Sequence, residues 1–473
     1  MRKIIPYILA IFALSSYGGV QQSGNWSSSA TWDTGTVEGT SSDSPLGVLE
    51  FDSDNLTLDV DVNAWASTIN ASTINKATVN IDEGKTLYIA STKDADVTLA
   101  GSENSYMEFN GLGNVEINSS NPGERFIEYG TWVFNTDVKL THFGLRDSKG
   151  GTITFNKDVV SNGQLSIGNK WIVNINADYN GSATLNVWGD TTVLNIATGS
   201  NVSAGALMMV NGSIDGNIIV SSRNGSDTST DCFNFTLGRR NQTTGTIEVG
   251  ENASIISTNS SGYSMIRNVN ITFNSKEASV FTASKLYIGG QTGNGLTTSI
   301  TLNSSDIFCS RGQSSQSVSI INVGTFIDAG IKSADVSLIL NASQNFGGFE
   351  FENGSYMNLT LNGNTLNVGK FSSVDSGQKY VYVEIEDLVN FTFKISEIGD
   401  LNILYDEDDN MMTNSITFKD ENLAGYSNTY LVEAEDGGYW VNSSLAIPEP
   451  ALMSALFGLV AAAVVLRKNS RRR

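Results

Sequence analysis

Three short stretches decide the fold: Thr152-Ile-Thr-Phe155, Trp171-Ile-Val-Asn-Ile175 and Thr184-Leu-Asn-Val187. In each, apolar residues fall on every second position, with Thr, Asn or, once, Ile172 between. An extended chain places alternate side chains on opposite faces, so one face of each stretch suits a core and the other suits water. Leu56-Thr-Leu-Asp-Val-Asp-Val62 and Val336-Ser-Leu-Ile-Leu340 repeat the pattern far away in either direction. Gly, Asn, Asp and Ser separate the segments from about Leu46 to Phe371, which are residues that turn a chain. No amphipathic helical stretch of twelve or more residues interrupts them. The body is all-β.

Strands that recur this monotonously, with no linker between groups of them, favour a parallel β-helix or β-solenoid over a chain of sandwiches. Each coil stacks on the previous one, and Asn, Ser and Thr stack on their like at the turns. Coils of about 20–25 residues would give roughly 13–16 of them over residues 46–371. At ~4.8 Å per coil this makes a rod on the order of 65–75 Å long. Eight Asn-Gly pairs, among them Asn110-Gly111, Asn180-Gly181, Asn211-Gly212 and Asn362-Gly363, argue the other way. That dipeptide favours hairpins and antiparallel sheets.

Composition narrows the function. The 473 residues carry 28 Lys+Arg against 49 Asp+Glu, with one His, two Cys and 49 Asn. A net charge of −21 makes nucleic acid an improbable partner, since phosphate binding needs a basic surplus. A single histidine, His142, excludes His-cluster metal sites and leaves triad chemistry to one residue. Hydrophobic residues still make up 40% of the chain, enough for a folded body. No cofactor is implied.

Individual candidates are few. Trp26 and Trp32 lie six residues apart in a polar segment, 19–45, read as an N-terminal cap. They cover an open solenoid end or, less simply, stack on sugar rings. Asp406-Glu-Asp408-Asp-Asn410 opens like a calcium loop, but Met411 and Thr417 stand where an EF-hand needs Gly and Glu. Asp406, Asp408 and Asn410 remain only an ad hoc calcium candidate. Cys232 and Cys309 are three coils apart in a solenoid, too far for a bridge. Arg239-Arg240, the one adjacent arginine pair in the body, reads as an anion clamp or a surface turn. A polysaccharide-active lyase or glycosidase is the rival class, and it would need carboxylates or basic groups converging in one groove. Asn-x-Ser/Thr sequences number 19, an excess that alternation along strands explains. Residues 376–446, richer in acids and aromatics, read as a small C-terminal β cap.

The two ends are addresses. Arg2 and Lys3 precede an apolar run from Ile4 to Leu14, and small residues follow at Ser15, Ser16, Gly18 and Gly19. This reads as a secretory signal peptide over residues 1–18. At the other end, Pro448, Glu449 and Pro450 precede an apolar helix-forming run from Ala451 to Leu466. Then come Arg467, Lys468, Arg471, Arg472 and Arg473. Residues 447–473 resemble the PEP-CTERM sorting signal, and the opening Gly24-Asn-Trp26 and Ala30-Thr-Trp-Asp33 resemble autotransporter-like β-repeat surface proteins. The first resemblance implies an exported protein of a Gram-negative bacterium that makes exopolysaccharide. It also implies an exosortase-type enzyme as processing partner and passage through the inner membrane to the cell surface or extracellular matrix. Without both ends the body holds 21 basic and 48 acidic residues, a net −27. The expectation is a non-enzymatic structural or adhesive protein, with extracellular polysaccharide as a partner.

Overall fold

The computed structural model describes residues 17–442 apart from 91–98, 119–126, 142, 225–232, 239–243, 262, 284, 290–296, 311–319, 324–334, 352–354, 374–379, 386–391, 400–401, 404–414, 421–429 and 436. The chain divides into two units, Met1–Ser264 and Met265–Arg473. Both are all-β solenoids of parallel strands.

In the first unit each coil runs through three walls. Leu165–Ile167, Trp171–Ile175 and Tyr179–Gly181 form one coil, and Leu185–Val187, Val193–Ile196 and Asn201–Ala204 the next. Every strand of the first pairs in parallel with its counterpart: Leu165 with Leu185, Val173 with Leu194, Tyr179 with Val202. The coil repeat is short because each wall needs only three to five residues and each corner only a few more. Side chains pointing inward are apolar. Leu165, Ile167, Trp171, Val173, Ile175 and Tyr179 are all at most 1% exposed. Directly above and below one another, Phe109, Phe134 and Phe155 stack with ring centroids 4.8 and 5.5 Å apart.

Two described Asn-Gly pairs show how the dipeptide serves this architecture without joining paired strands. Asn211-Gly212 opens the strand Asn211–Ile214, which pairs in parallel on both sides. A Cβ at Gly212 would overlap the Leu194 carbonyl of the coil beneath, and its φ is +131°. Glycine is there because two backbones approach closely. Asn362-Gly363 does make a turn, with φ of +51° and +77°, but the strands it joins pair with other coils and not with each other.

Corners are closed by side-chain ladders. After the second wall, Asn135 Nδ2 donates to Asn110 Oδ1 at 2.7 Å, Asn156 to Asn135 at 2.6 Å and Asn176 to Asn156 at 2.7 Å. A primary amide has both a donor and an acceptor, so identical residues at coil spacing satisfy one another. Elsewhere a carboxylate takes the backbone N–H that leaves the ladder at a corner. Asp54 accepts from the Asn75 amide nitrogen at 2.6 Å and from its side chain at 2.7 Å. The Asn75 side chain, then its backbone N–H, holds the Asp54 carboxyl below the usual range. Asp178 Oδ1 likewise accepts from Asn201 N at 2.9 Å and from Nδ2 at 3.0 Å.

The parallel stack starts earlier than composition suggests. Tyr17–Val20 pairs with Leu46–Phe51, and Gly24–Asn25 with Leu56–Val60, so the tryptophan segment is itself a coil. Its polar residues line the loop outside, while Trp26 and Trp32 turn in. A similar extension appears at the far end of the second unit. There Val269–Phe273, Thr298–Leu302, Asp335–Leu340, Tyr356–Thr360, Tyr380–Ile385 and Ser415–Asp420 pair successively in parallel. Parallel rungs therefore continue past residue 375. Only the last two described strands, Tyr430–Glu433 and Tyr439–Asn442, are antiparallel, with the second laid on Thr392–Ile398. This unit has its own asparagine ladder: Asn303 to Asn274 at 2.6 Å, Asn341 to Asn303 at 2.6 Å, Asn362 to Asn341 at 2.8 Å.

Two outcomes test this account. Phe134→Ala removes a fully buried ring from the inner stack and should cost about 3–5 kcal/mol in denaturant unfolding. Asn156→Ala breaks the ladder at an exposed corner where water can substitute, and should cost about 1 kcal/mol. If Asn156→Ala cost as much as Phe134→Ala, the corners and not the core would hold the coils together. The second concerns Tyr179, whose buried hydroxyl lies beside Ser161, itself donating to the Gly163 carbonyl at 2.9 Å. Burial pushes this phenol up to about 12. The unfolded chain ionises near pH 10, so stability should fall between about pH 10 and 12 by up to ~2.7 kcal/mol. Tyr179→Phe should remove that part of the slope, measured as the difference between the two unfolding curves.

Candidate functional site

A solenoid presents its outward side chains in rows, one residue per coil, and the row on the third wall of the first unit is the most varied. Reading along the register, it runs Trp65, Tyr88, Glu116, Lys139, Val160, Asn180, Ser203, Ile219 and Ile256. Strand alternation sends the flanking residues inward: Ala64, Ala66, Leu87 and Ile89 are buried. Trp65 and Tyr88 are half-buried and lie flat on each other, centroids 4.8 Å apart and planes 7° from parallel. In the next two coils Lys139 Nζ meets Glu116 at 3.1 Å. Beyond, Val160 and Ile219 are 44% and 41% exposed.

The row thus begins as an apolar ledge two coils deep and continues as an ion pair. Thr86 and Asn114, at the adjoining outward position, place a hydroxyl and an amide beside it. The Thr86 backbone N–H is held by Asn63 Oδ1 at 3.0 Å, which fixes the corner from which the ledge projects. Such a surface can make apolar contact and hydrogen bonds with an elongated polar polymer.

The tryptophan pair of the first coil is buried. Trp26 and Trp32 are 0% and 1% exposed, packed edge to face at 4.9 Å. Trp26 Nε1 donates to the Glu38 carbonyl at 2.8 Å, and Trp32 Nε1 to the Trp26 carbonyl at 2.9 Å. Both rings are spent on the first coil, so neither offers a face to a sugar. Their sequence surroundings are polar because the loop they anchor is exposed while the indoles are not. Trp65 and Tyr88 went unnoticed because no strict period was legible to show that 23 residues separate the same position on two coils.

A second feature sits beside the first coil. Asp33, Asp52 and Glu50 gather around Gly19, whose N–H donates to Asp33 Oδ1 at 2.9 Å. Burial, and then the neighbouring carboxylates of Asp33 and Glu50, raise the Asp52 carboxyl above its usual range. Among the described residues no three His, Cys, Asp or Glu side chains form a metal-ligating group. The calcium candidate Asp406, Asp408 and Asn410 lies outside the described residues, as do the sorting residues Pro448, Glu449, Pro450, Arg467, Lys468, Arg471, Arg472 and Arg473. So do His142, Cys232 and Arg239-Arg240. Cys309 is described only as part of the strand Phe308–Ser310. Among the described residues no helix is long and apolar enough to cross a membrane.

Fold and surface together define a parallel β-solenoid whose outer rows carry the variable chemistry. Compared with known protein families, curated proteins and solved structures, the chain matches none of them.

Proposed function

We propose that this is an exported, non-enzymatic surface or matrix protein of a Gram-negative bacterium, sorted through its PEP-CTERM-like tail. In this reading its solenoid body lies against extracellular polysaccharide. The signal-like residues 1–18 and the tail 447–473 support export and sorting, with an exosortase-type enzyme as partner and the inner membrane as a stage in transit. The observation that carries the role of the body is the Trp65–Tyr88 ledge. Two large rings are kept half exposed on an outer wall, next to hydroxyl and amide side chains held in register.

An elongated neutral or weakly charged polysaccharide suits this wall better than a polyanion. The body's net charge of −27 repels anionic chains, and Lys139, the cation of the row, is already paired with Glu116. The contact is weak for each protein and gains strength from many copies along one polymer.

The address is tested by the intact mass and terminal sequences of the protein taken from its host's surface fraction. Loss of the segment after Pro450 is expected. An intact Arg473 terminus confined to the inner membrane would reduce the tail to an anchor. The wall is tested by Trp65→Ala and Tyr88→Ala, each half-buried and replaceable without opening the core. Binding of the body to isolated host exopolysaccharide should weaken about tenfold with the pair of substitutions, corresponding to ~1.4 kcal/mol. Unchanged binding with an unchanged circular dichroism spectrum would remove the ledge from the contact.

A further inference from the structure

The leader read over residues 1–18 places the cut after Gly18, although Ala13-x-Ser15 satisfies the small-x-small rule for the residues before a cleavage site as well as Ser16-x-Gly18 does. The structure distinguishes them. We propose that the chain is cut between Gly18 and Gly19, and that the new α-ammonium of Gly19 is captured by the carboxylates of Asp33 and Asp52 as the lock of the first coil. This inference rests on the export reading.

Three observations carry it. The Gly19 nitrogen already donates to Asp33 Oδ1 at 2.9 Å, so the group that would become the ammonium sits in hydrogen-bonding position. A side chain at Gly19 would meet Asp52 Oδ1 at 2.7 Å and Asp33 Oδ2 at 2.9 Å, so both carboxylates crowd this one α-carbon. Glu50, the register partner of Gly19, completes the group, its own carboxylate taken by the Asn70 side-chain amide. These are the titratable groups around that nitrogen: Asp33 from the loop after residues 29–31, and Glu50 and Asp52 from the strand Leu46–Phe51 and its end. An uncut chain offers them a neutral amide. Like charges then stand together, and burial first, then the Asp33 and Glu50 carboxylates, make Asp52 harder to ionise than usual.

The residues lost in the cut contribute little side-chain packing. Tyr17 is 59% exposed and Gly18 has no side chain, although two backbone pairings, with Val48 and Leu49, go with them. Gly19 and Val20 keep their places opposite Glu50 and Phe51. Chemically the step is hydrolysis by a signal peptidase. Water adds as the Gly18–Gly19 C–N bond breaks, hydroxide going to the Gly18 carbonyl carbon and a proton to the Gly19 nitrogen; at neutral pH the new Gly18 carboxyl then gives up its proton and the amine takes one up, becoming the ammonium. The ammonium has three donors where the amide had one, enough for Asp33 and Asp52 together.

The test uses the full-length chain made in a Gram-negative host and recovered from its surface fraction. N-terminal sequencing should begin Gly19-Val-Gln-Gln. A start at Ser16 would overturn the site and leave export standing, whereas a start at Met1 would overturn both. On the Gly19 form, the melting temperature is then followed from about pH 7 to pH 10. Carboxylate neighbours raise the ammonium's folded pKa above its ordinary ~7.7–8.0, so its stabilisation is complete below that range and lost as pH climbs through the folded value. The form carrying Asp33→Asn and Asp52→Asn should lose less over the same range, by about 2–4 °C. Equal losses in both would overturn the capture.

Discussion

Everything in this molecule depends on one constraint: successive coils hydrogen-bond in parallel and in register, so each residue sits about 4.8 Å above a counterpart one coil earlier. Within a row, a side chain's main neighbours are its own row-mates. Inward, this selects residues that pack on copies of themselves, hence Phe109, Phe134 and Phe155 in one stack. At corners it selects groups that both give and accept a hydrogen bond. Asparagine meets that demand and aspartate does not, since a carboxylate only accepts. The asparagine ladders of both units are therefore consequences of spacing, and the 49 asparagines of the chain reflect the architecture before they reflect any ligand.

The acidic balance has part of its explanation in the same place. At corners where a backbone N–H leaves the ladder, the nearest acceptor is a side chain of the coil before. Asp54, Asp178 and Asp306 fill that role for Asn75, Asn201 and Asn345. An ionised carboxylate is the stronger acceptor, and such bonds favour its charged form. A solenoid that solves many corners with aspartate accumulates negative charge without any cationic partner being implied. The cost is repulsion between stacked acids, tolerable where they face water and screened within about 8–10 Å.

The fold was legible because its signal is local: alternation in Trp171–Ile175 or Leu185–Val187 needs only five or three residues to read. Coil number and boundaries were less so. The repeat drifts between Asn156–Asn176, 20 residues apart, and Asn135–Asn156, 21 apart, and an insertion stretches Asn211–Thr246 to 35. A drifting period hides which residues share a row. That is why Trp65 and Tyr88 could not be paired on paper, and why the adjacent-looking Trp26 and Trp32 drew attention to a place where both rings are buried. Parallel pairing runs across the composition shifts near residues 45 and 375 for a related reason. Composition follows what the loops need, while register follows the backbone, and the two need not change together.

The same constraint shapes the surface: a row offers a line of groups at fixed spacing, each repeating the direction of the last. A line matches another line. An elongated polymer lying along or across the wall can meet Trp65, Tyr88, Thr86 and Asn114 together, but a small substrate meets one or two of them. Inner rows are bound by packing and corner rows by ladder bonding, so only the outward rows are free to carry recognition. On the third wall that freedom is used for a flat aromatic pair beside a neutralised charge. In the function proposed above this pair is the part that lies against a polymer, and the rigid stack beneath it would supply the pre-organisation that makes weak contacts add.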